Sequence, residues 1–278
     1  MTILVTGATG SVGRHVVEQL LERGQQVRAL TRHPGKASWS GSVEIVQGDL
    51  AQPASLPAAL KGVERVYLFP VPESAEAFVA LAREVGVQRV VVLSSSSAVN
   101  RGETNAFLSD HHLAVERAVE ASGLAWTHLR PGGFAGNTLE WAPSIQAESV
   151  VRAPYGKAAQ SPIHEADIAE VAVKALLEDG HEGAKYLMSG PEAIARVDQV
   201  RAIGKAIGRE VRFEEISPDA WRASVRQFLP ESIIEMLLGY WAAAVAQPDP
   251  VWPAVEDVLG RPARTFQQWA IDHAREFS

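Results

Sequence analysis

A glycine-rich turn near the start of the chain is the first place where residue types and spacing suggest chemistry. Its three glycines follow the spacing GxxGxxG within residues 6–13, directly after the apolar run Thr2–Val5. Gly7 would allow a sharp turn off a strand, Gly10 would let a pyrophosphate approach the backbone, and Gly13 would let a helix pack close to the strand. Free N–H groups at the start of that helix would then face the anion. The predicted cofactor contacts in this turn are Gly7, Thr9, Gly10, Ser11 and Val12. The alternative is an ordinary tight turn between a strand and a helix.

The end of the second predicted strand indicates which dinucleotide is bound. Residues 26–30 read as a strand that runs into Thr31, Arg32 and Lys36 without an acidic residue. An acidic side chain here would bind the ribose 2′-hydroxyl of NAD, whereas two cations suit the 2′-phosphate of NADP. We therefore expect these three residues to contact NADP, with NAD as the second candidate. The alternative is that Arg32 and Lys36 are two solvated loop cations.

Strands and helices alternate regularly through the first half of the chain. Apolar β-branched runs predict strands, and apolar residues three and four positions apart predict helices. The predicted strands are residues 2–5, 26–30, 43–46, 63–69, 88–93 and 125–129, with helices after the glycine turn and at 55–60, 73–85 and 109–122. This alternation predicts an α/β fold, a doubly wound parallel sheet of the Rossmann type. Ser94 starts a serine run where such sheets bind ligands, although a plain loop explains the run equally well.

The second half of the chain has a different character. Residues 137–161 mix aromatic, small and polar side chains, which favours a substrate-facing excursion over a sheet element. Asp167 is predicted to cap a helix that ends at residue 177. Helical patterns at 197–207, 218–228, 230–245 and 265–277, with short strands at 185–189 and 211–216, follow. We expect a dinucleotide domain over residues 1–150, with returning segments around 160–190, and a smaller, mainly helical substrate lobe over 191–278. The aromatic residues of this lobe would either bind a flat substrate or form its core.

Two stretches resemble a known family. TGATGSVGR (residues 6–14) and ERAVEASGLAWTHLRPGGF (residues 116–134) are similar to the short-chain dehydrogenase/reductase superfamily, in its atypical, NmrA-like branch. The resemblance implies a Rossmann fold that binds NAD(P), and it covers nearly the whole chain. It also implies that Asp49 and Leu50 lie at the adenine, although Asp49 could instead cap a helix. It further implies that Phe69 lies under the cofactor and that Pro131 opens the nicotinamide side.

The chain departs from the superfamily at its catalytic pair. The superfamily uses Tyr-x-x-x-Lys, but no tyrosine lies between Tyr67 and Tyr155, so the pair is absent in any register. With Glu116 aligned to the family, Leu108 stands at the tyrosine position and His112 at the lysine position. His112 is therefore predicted to donate to the cofactor ribose, and to titrate near neutral pH as the general acid or base that the tyrosine would have been. The alternative is a half-buried histidine paired with Glu116 across one helical turn.

Composition excludes several classes of function. The 278 residues carry a net charge of −7, which disfavours nucleic acid as a partner because phosphate backbones need a basic surface. The absence of cysteine excludes disulfides, thiolate metal sites and a cysteine nucleophile, and the histidines show no metal-binding motif. No apolar run is long enough for a membrane span, and the first strand starts at once, so we expect no signal peptide and a cytoplasmic location.

These observations predict an NADP-dependent oxidoreductase that acts on a small apolar or aromatic carbonyl or quinone-like substrate. The nicotinamide would carry the chemistry, while the protein orients the substrate. The competing hypothesis is a non-catalytic NAD(P)-binding redox sensor that regulates a partner. The missing tyrosine favours the sensor, and the aromatic carboxyl-terminal lobe favours the enzyme.

Overall fold

Short apolar runs form the strands of a central sheet in the computed structural model. The structure describes residues 1–37, 39, 42–99 and 106–278, and only the backbone of Lys36. In chain order, the described strands are β1 (Thr2–Val5), β2 (Gln26–Thr31), β3 (Val43–Gln47), β4 (Arg65–Leu68), β5 (Arg89–Leu93), β6 (Ala125–Pro131), β7 (Val150–Ala153), β8 (Ala159–Gln160), β9 (Ala184–Met188), β10 (Ile194–Ala195) and β11 (Arg212–Glu215). The described α-helices are α1 (Gly13–Glu22), α2 (Pro57–Leu60), α3 (Ala75–Glu84), α4 (Ala106–Ala121), α5 (Ala142–Glu148), α6 (Glu165–Leu177), α7 (Arg196–Ala206), α8 (Pro218–Val225), α9 (Glu231–Ala246), α10 (Ala254–Leu259), α11 (Phe266–Asp272) and α12 (Ala274–Phe277).

Seven of these strands form one parallel sheet in the order β3-β2-β1-β4-β5-β6-β9. Successive side chains of a strand point to opposite faces, so each strand contributes to two cores. Ile3 and Val5 pack with α1 and α6, whereas Leu4 packs with α2, α3 and α4. The predicted doubly wound α/β fold is confirmed. The strand order reverses between β1 and β4, which places a crevice at their carboxyl ends.

The carboxyl-terminal lobe has two cores of its own. In one, Trp269 and Phe266 pack with Ile145, which lies well before the lobe begins in the sequence. In the other, Trp221 and Trp241 pack together on α8 and α9. Most aromatic side chains of the lobe therefore form its core, as the second of the two interpretations proposed. The division of the chain at residues 150 and 191 stays a prediction. Packing crosses it in both directions: Ile145 lies in a core of the lobe, and α10 lies in the core of the central sheet.

Two local predictions are corrected. The stretch 137–161 contains sheet elements, because β7 pairs in parallel with β11 and β8 pairs antiparallel with β10. These partners lie far away in the sequence, so the local pattern could not show them. Asp167 does not cap α6: the cap is His164, whose Nδ1 accepts the amide of Ala166 at 3.1 Å. Asp167 is fully buried and instead forms ion pairs with Arg261 and Arg264, which hold the chain after α10 against α6.

No helix in the described ranges combines the length and the apolar character needed to cross a membrane.

A buried ion pair fixes α4 on the sheet. Glu116 of α4 is 1% exposed and accepts from Arg130 of β6, with Nε to Oε1 at 2.9 Å, and from the hydroxyl of Ser94 after β5. Burial alone would raise the pKa of Glu116, but the hydrogen bonds from Arg130 and Ser94 outweigh burial, so the pKa is lowered. Glu120 and His128 lie close enough to Glu116 to share a metal ion with it. Arg130 and Lys185 already pair with these carboxylates, so their positive charges oppose a cation there.

Removing one partner of this buried pair should destabilise the fold. Glu116→Leu leaves the Arg130 guanidinium buried without a counter-charge, and we expect a loss of about 3–5 kcal/mol in the free energy of unfolding. The control is Glu148→Leu, which breaks an exposed ion pair with Arg152 and should change the free energy of unfolding far less. Urea denaturation at neutral pH measures both values. Equal losses would show that the Glu116 pair does not hold α4.

Candidate functional site

The loop between β1 and α1 is locked to the end of β4. Gly7 adopts a φ of +57°, a left-handed conformation that favours glycine. The buried hydroxyl of Thr6 donates to the carbonyl of Tyr67 at 3.0 Å and accepts from the amide of Phe69 at 2.7 Å. These bonds hold Phe69 so close to Gly7 that an added Cβ on Gly7 would lie 3.0 Å from that of Phe69. The two strand ends at the crevice therefore form one unit.

The other two glycines are required by a close approach within the loop. A Cβ on Gly13 would lie 2.2 Å from the carbonyl oxygen of Gly7, and a Cβ on Gly10 would lie 3.1 Å from the same oxygen. That oxygen also accepts the amide of Gly10 at 2.9 Å. The missing side chain of Gly13 thus lets α1 lie close to the backbone that follows the end of β1.

The backbone donors of this loop fit an anion. The amides of Thr9, Ser11 and Val12 have no hydrogen-bond acceptor within the described residues. They stand just before or at the start of α1, where unpaired N–H groups and the helix dipole attract negative charge. The side chain of Val12 is buried in the core, so only its backbone is available to a ligand. The loop therefore suits the pyrophosphate of a dinucleotide.

A first cavity of about 380 Å³, which we name the loop cavity, opens beside this loop. It brings together the carboxyl ends of β1 to β4. Its lining residues are Gly7, Thr9, Gly10, Leu30, Thr31, Arg32, His33, Gly48, Asp49, Leu50, Ala51, Phe69 and Val71. Asp49 is the one acidic residue in this set, and it follows β3 rather than β2, so no carboxylate stands at the end of β2.

The loop cavity has three titratable lining residues, Arg32, His33 and Asp49. The Oδ1 of Asp49 accepts the amide of Ala51 at 3.0 Å, a local turn rather than the helix cap that was the alternative. Arg32 and His33 are both exposed at the rim. Sequence reasoning missed His33, although its place next to Arg32 at the strand end was a usable signal. The side chain of Lys36 lies outside the described residues.

A second cavity of about 640 Å³, the central cavity, lies between the loop cavity and α4. Its walls come from the ends of β4, β5 and β6 and from the first turns of α4. Its lining residues are Phe69, Pro70, Val71, Glu73, Leu93, Ser94, Ser95, Phe107, Leu108, His111, His112, Pro131, Gly132 and Phe134. The structure thus brings together four separately predicted residues: Phe69, Ser94, His112 and Pro131. It also adds Phe107, a side chain that is 76% exposed.

His112 faces the central cavity as a neutral base. The pKa of His112 is lowered to about 4, mainly by burial and also by the neighbouring His111, while Glu116 only partly offsets both. The expectation that His112 titrates near neutral pH is therefore wrong. The pairing with Glu116 is also absent, because the Glu116 carboxylate is bonded to Arg130 and Ser94. The Nδ1 of His112 is buried without a hydrogen-bond partner in the described structure.

A third cavity of about 320 Å³, the lobe cavity, continues this row into the carboxyl-terminal lobe. Phe69 and Val71 line both the loop cavity and the central cavity, and Phe134 lines both the central cavity and the lobe cavity. The remaining lining residues of the lobe cavity include Glu140, Trp141, Arg196, Tyr240, Trp241 and Asp249. The aromatic side chains nearest to the glycine loop thus come from the sheet and α4 rather than from the lobe.

The sequence and the fold match known proteins along the whole chain. Residues 7–179 match the model of a family described as NAD(P)H-binding. The chain belongs to this NAD(P)H-binding family. It is 40% identical to a (4-alkanoyl-5-oxo-2,5-dihydrofuran-3-yl)methyl phosphate reductase of Streptomyces griseus, over 99% of each chain. It is 35% identical to an NAD(P)H azoreductase of Xenophilus azovorans, again over 99% of each chain.

A solved structure supports the same assignment. An NADPH-dependent quinone oxidoreductase from Escherichia coli, in complex with NADPH, superposes with a TM-score of 0.79 at 25% identity, covering 96% of this chain and 98% of that one. The present chain, as a member of the NAD(P)H-binding family, is an NAD(P)-dependent oxidoreductase, as the sequence predicted. The resemblance to the atypical, NmrA-like reductases is likewise confirmed.

Substitution of the two loop glycines should separate binding from folding. Gly10→Val places a branched side chain beside the free amides while only tightening one contact, so the protein should fold but bind NADP at least roughly tenfold more weakly, a loss of about 1.4 kcal/mol. Gly13→Ala drives a Cβ into the Gly7 carbonyl and should lower the melting temperature instead. Calorimetry and thermal melts measure the two effects. Unchanged NADP affinity in a folded Gly10→Val protein would show that the loop does not bind the pyrophosphate.

Proposed function

We propose that the protein is an NADPH-dependent reductase of small, flat, conjugated acceptors such as quinones, azo compounds or unsaturated ketones. The observation that carries this proposal is the row of three cavities, in which the central cavity adjoins the glycine loop and is walled by aromatic rings. NADPH, when bound, supplies the hydride. The chain would hold the cofactor at the loop and press the acceptor against Phe69, Phe107 and Phe134.

The names of the relatives support the substrate class. They describe the reduction of an azo compound, of a quinone and of a furanone whose ring double bond is conjugated with carbonyl groups. Each acceptor can spread the charge that arrives with a hydride over a conjugated system. Such a substrate needs less help from a protein acid than an isolated ketone does, which fits a cavity without the usual tyrosine.

The walls of the central cavity support the same class. Its ionisable residues in the described structure are Glu73, His111 and His112. With its pKa near 4, His112 is an uncharged imidazole at neutral pH. We assign it the role of holding the cofactor or substrate as a neutral hydrogen-bond partner, so that the cavity stays apolar and uncharged beside it. A role as an imidazolium acid does not fit this pKa.

Preference for NADPH over NADH follows from the loop cavity. The end of β2 carries Arg32 and His33 and no carboxylate, so a 2′-phosphate meets positive charge there instead of repulsion. A guanidinium can bind phosphate through two parallel hydrogen bonds. The complex of the Escherichia coli relative with NADPH agrees with this preference.

Arg32→Ala should weaken NADPH binding and leave NADH binding nearly unchanged. Loss of a charge-assisted hydrogen bond costs roughly 1.5–3 kcal/mol, so the affinity for NADPH should fall by about one to two orders of magnitude. Titration calorimetry with both cofactors measures this. Arg23→Ala, at the opposite end of α1, is the matched control and should change neither affinity. Equal wild-type affinities for NADPH and NADH would contradict the assignment of Arg32.

The activity and the role of His112 are tested together. Wild-type protein should oxidise NADPH in the presence of 1,4-naphthoquinone or methyl red, and failure with every conjugated acceptor tried would defeat the proposed function. His112→Ala should lower NADPH or acceptor binding by roughly tenfold, the cost of one neutral hydrogen bond, whereas His111→Ala should have a smaller effect. Because the His112 pKa is near 4, kcat/KM of the wild type should show no inflection that depends on His112 between pH 5.5 and 8. Equal, small effects of both substitutions would show that His112 serves only in packing and does not bind the cofactor or the acceptor.

A further inference from the structure

A buried arginine lines the lobe cavity, and its guanidinium has no hydrogen-bond partner in the described part of the chain. Arg196 is the first residue of α7 and is 2% exposed. Its guanidinium lies 3.8 Å from the ring centre of Trp241 and 5.5 Å from that of Trp141. Aromatic rings stabilise a cation through the flat faces of the guanidinium. This stacking leaves the N–H groups, which lie in the plane of the guanidinium, free for another partner.

Those N–H groups have no partner in the described part of the chain. The Nε and Nη2 of Arg196 are buried and make no hydrogen bond. Burial lowers the pKa of Arg196 to about 10, which still leaves the group protonated at neutral pH. An unbonded buried donor costs free energy, and a buried charge costs more, so native structures rarely leave either without a purpose.

The acidic groups around Arg196 are bonded elsewhere or stand apart from it. Glu215 accepts the amide of Gly156 at 2.9 Å, and Asp249 accepts from the hydroxyl of Tyr240. Glu140 lies in the wall of the cavity and attracts the guanidinium electrostatically, but makes no hydrogen bond to it in the described structure. Glu140 and Glu215 partly counteract the effect of burial on the Arg196 pKa, but no hydrogen bond joins them to the two buried donors in the described structure.

We propose that the lobe cavity is a subsite for an anionic group of the substrate, a phosphate ester or a carboxylate, bound by the guanidinium of Arg196. The planar fork of arginine matches both groups through paired hydrogen bonds. Phe134 lines this cavity and the central cavity, so one molecule can place its conjugated part beside the glycine loop and its anion at Arg196. The placement of the conjugated part rests on the proposed function, whereas the anion site does not.

The test uses phenyl phosphate and benzoate as probes, with phenol as the uncharged control. Each is titrated calorimetrically into the protein saturated with NADP, because the cofactor then occupies the other phosphate-binding positions at the loop and Arg32. We expect wild-type protein to bind phenyl phosphate or benzoate and not phenol. Arg196→Met should weaken that binding roughly tenfold to hundredfold, the effect of losing a charged donor. Whichever of the two anions binds more tightly identifies the class.

A second variant keeps the proposal testable if Arg196→Met does not fold. Leu237→Trp fills the lobe cavity from α9 while Arg196 remains, and it should also abolish anion binding. The wild type binding neither anion, or Arg196→Met binding as well as the wild type, would overturn the proposal. Arg23→Ala, the control variant at the far end of α1, should bind the anions normally in the same assay.

Turnover separates this proposal from the function itself. Methyl red carries a carboxylate and 4-(dimethylamino)azobenzene lacks it, so Arg196→Met should raise the KM of the first and not of the second. If neither dye is reduced while phenyl phosphate still binds through Arg196, the reductase proposal fails and the anion site stands. If both dyes are reduced with the same response to Arg196→Met, the anion site fails and the reductase stands.

Discussion

The carbonyl of Gly7 is the point on which the site depends. It accepts the amide of Gly10 and lies where a side chain on Gly13 would have to be. This contact curls the loop so tightly that several amides are left with no acceptor in the described structure. Thr6 then extends the same rigidity to the end of β4 and to Phe69. Hydrogen bonds therefore join the glycine loop to the first wall of the central cavity. Under the proposed function, the loop that holds the cofactor would also set the position of an acceptor.

The opposite wall of the central cavity, α4, is held in place by an ion pair rather than by backbone contacts. Here α4 is fixed from below by the ion pair of Glu116 with Arg130, and His112 stands one turn closer to the cavity. Glu116 still raises the pKa of His112, but burial and the neighbouring His111 outweigh it, so the imidazole stays neutral. The ion pair that orients the helix thus coexists with a neutral imidazole in the cavity wall.

The sequence could predict what depends on local patterns. The alternation of strands and helices, the glycine loop and the position of Ser94 follow from short-range signals and the parallel topology, whereas Phe69, His112 and Pro131 were placed by the family resemblance. The His112 pKa could not be predicted, since it depends first on burial and then on the position of the neighbouring His111. The pairing of β7 with β11 and the role of Asp167 also joined residues too distant for a local pattern. Arg196 gave no signal at all, because an arginine at the start of a helix is ordinary until its surroundings are known.

Under the proposed function, the absence of the tyrosine and the aromatic walls of the central cavity have one physical explanation. A tyrosine acid is useful when negative charge develops on a single oxygen, because a nearby proton then lowers the barrier. A conjugated acceptor spreads that charge, and an apolar cavity walled by aromatic rings holds its flat body and excludes water. The aromatic rings of the cavity favour a flat substrate but do not determine which end of it enters first. A buried cation beyond Phe134 supplies that information, since a charge of one sign at one end fixes the direction in which a substrate can lie.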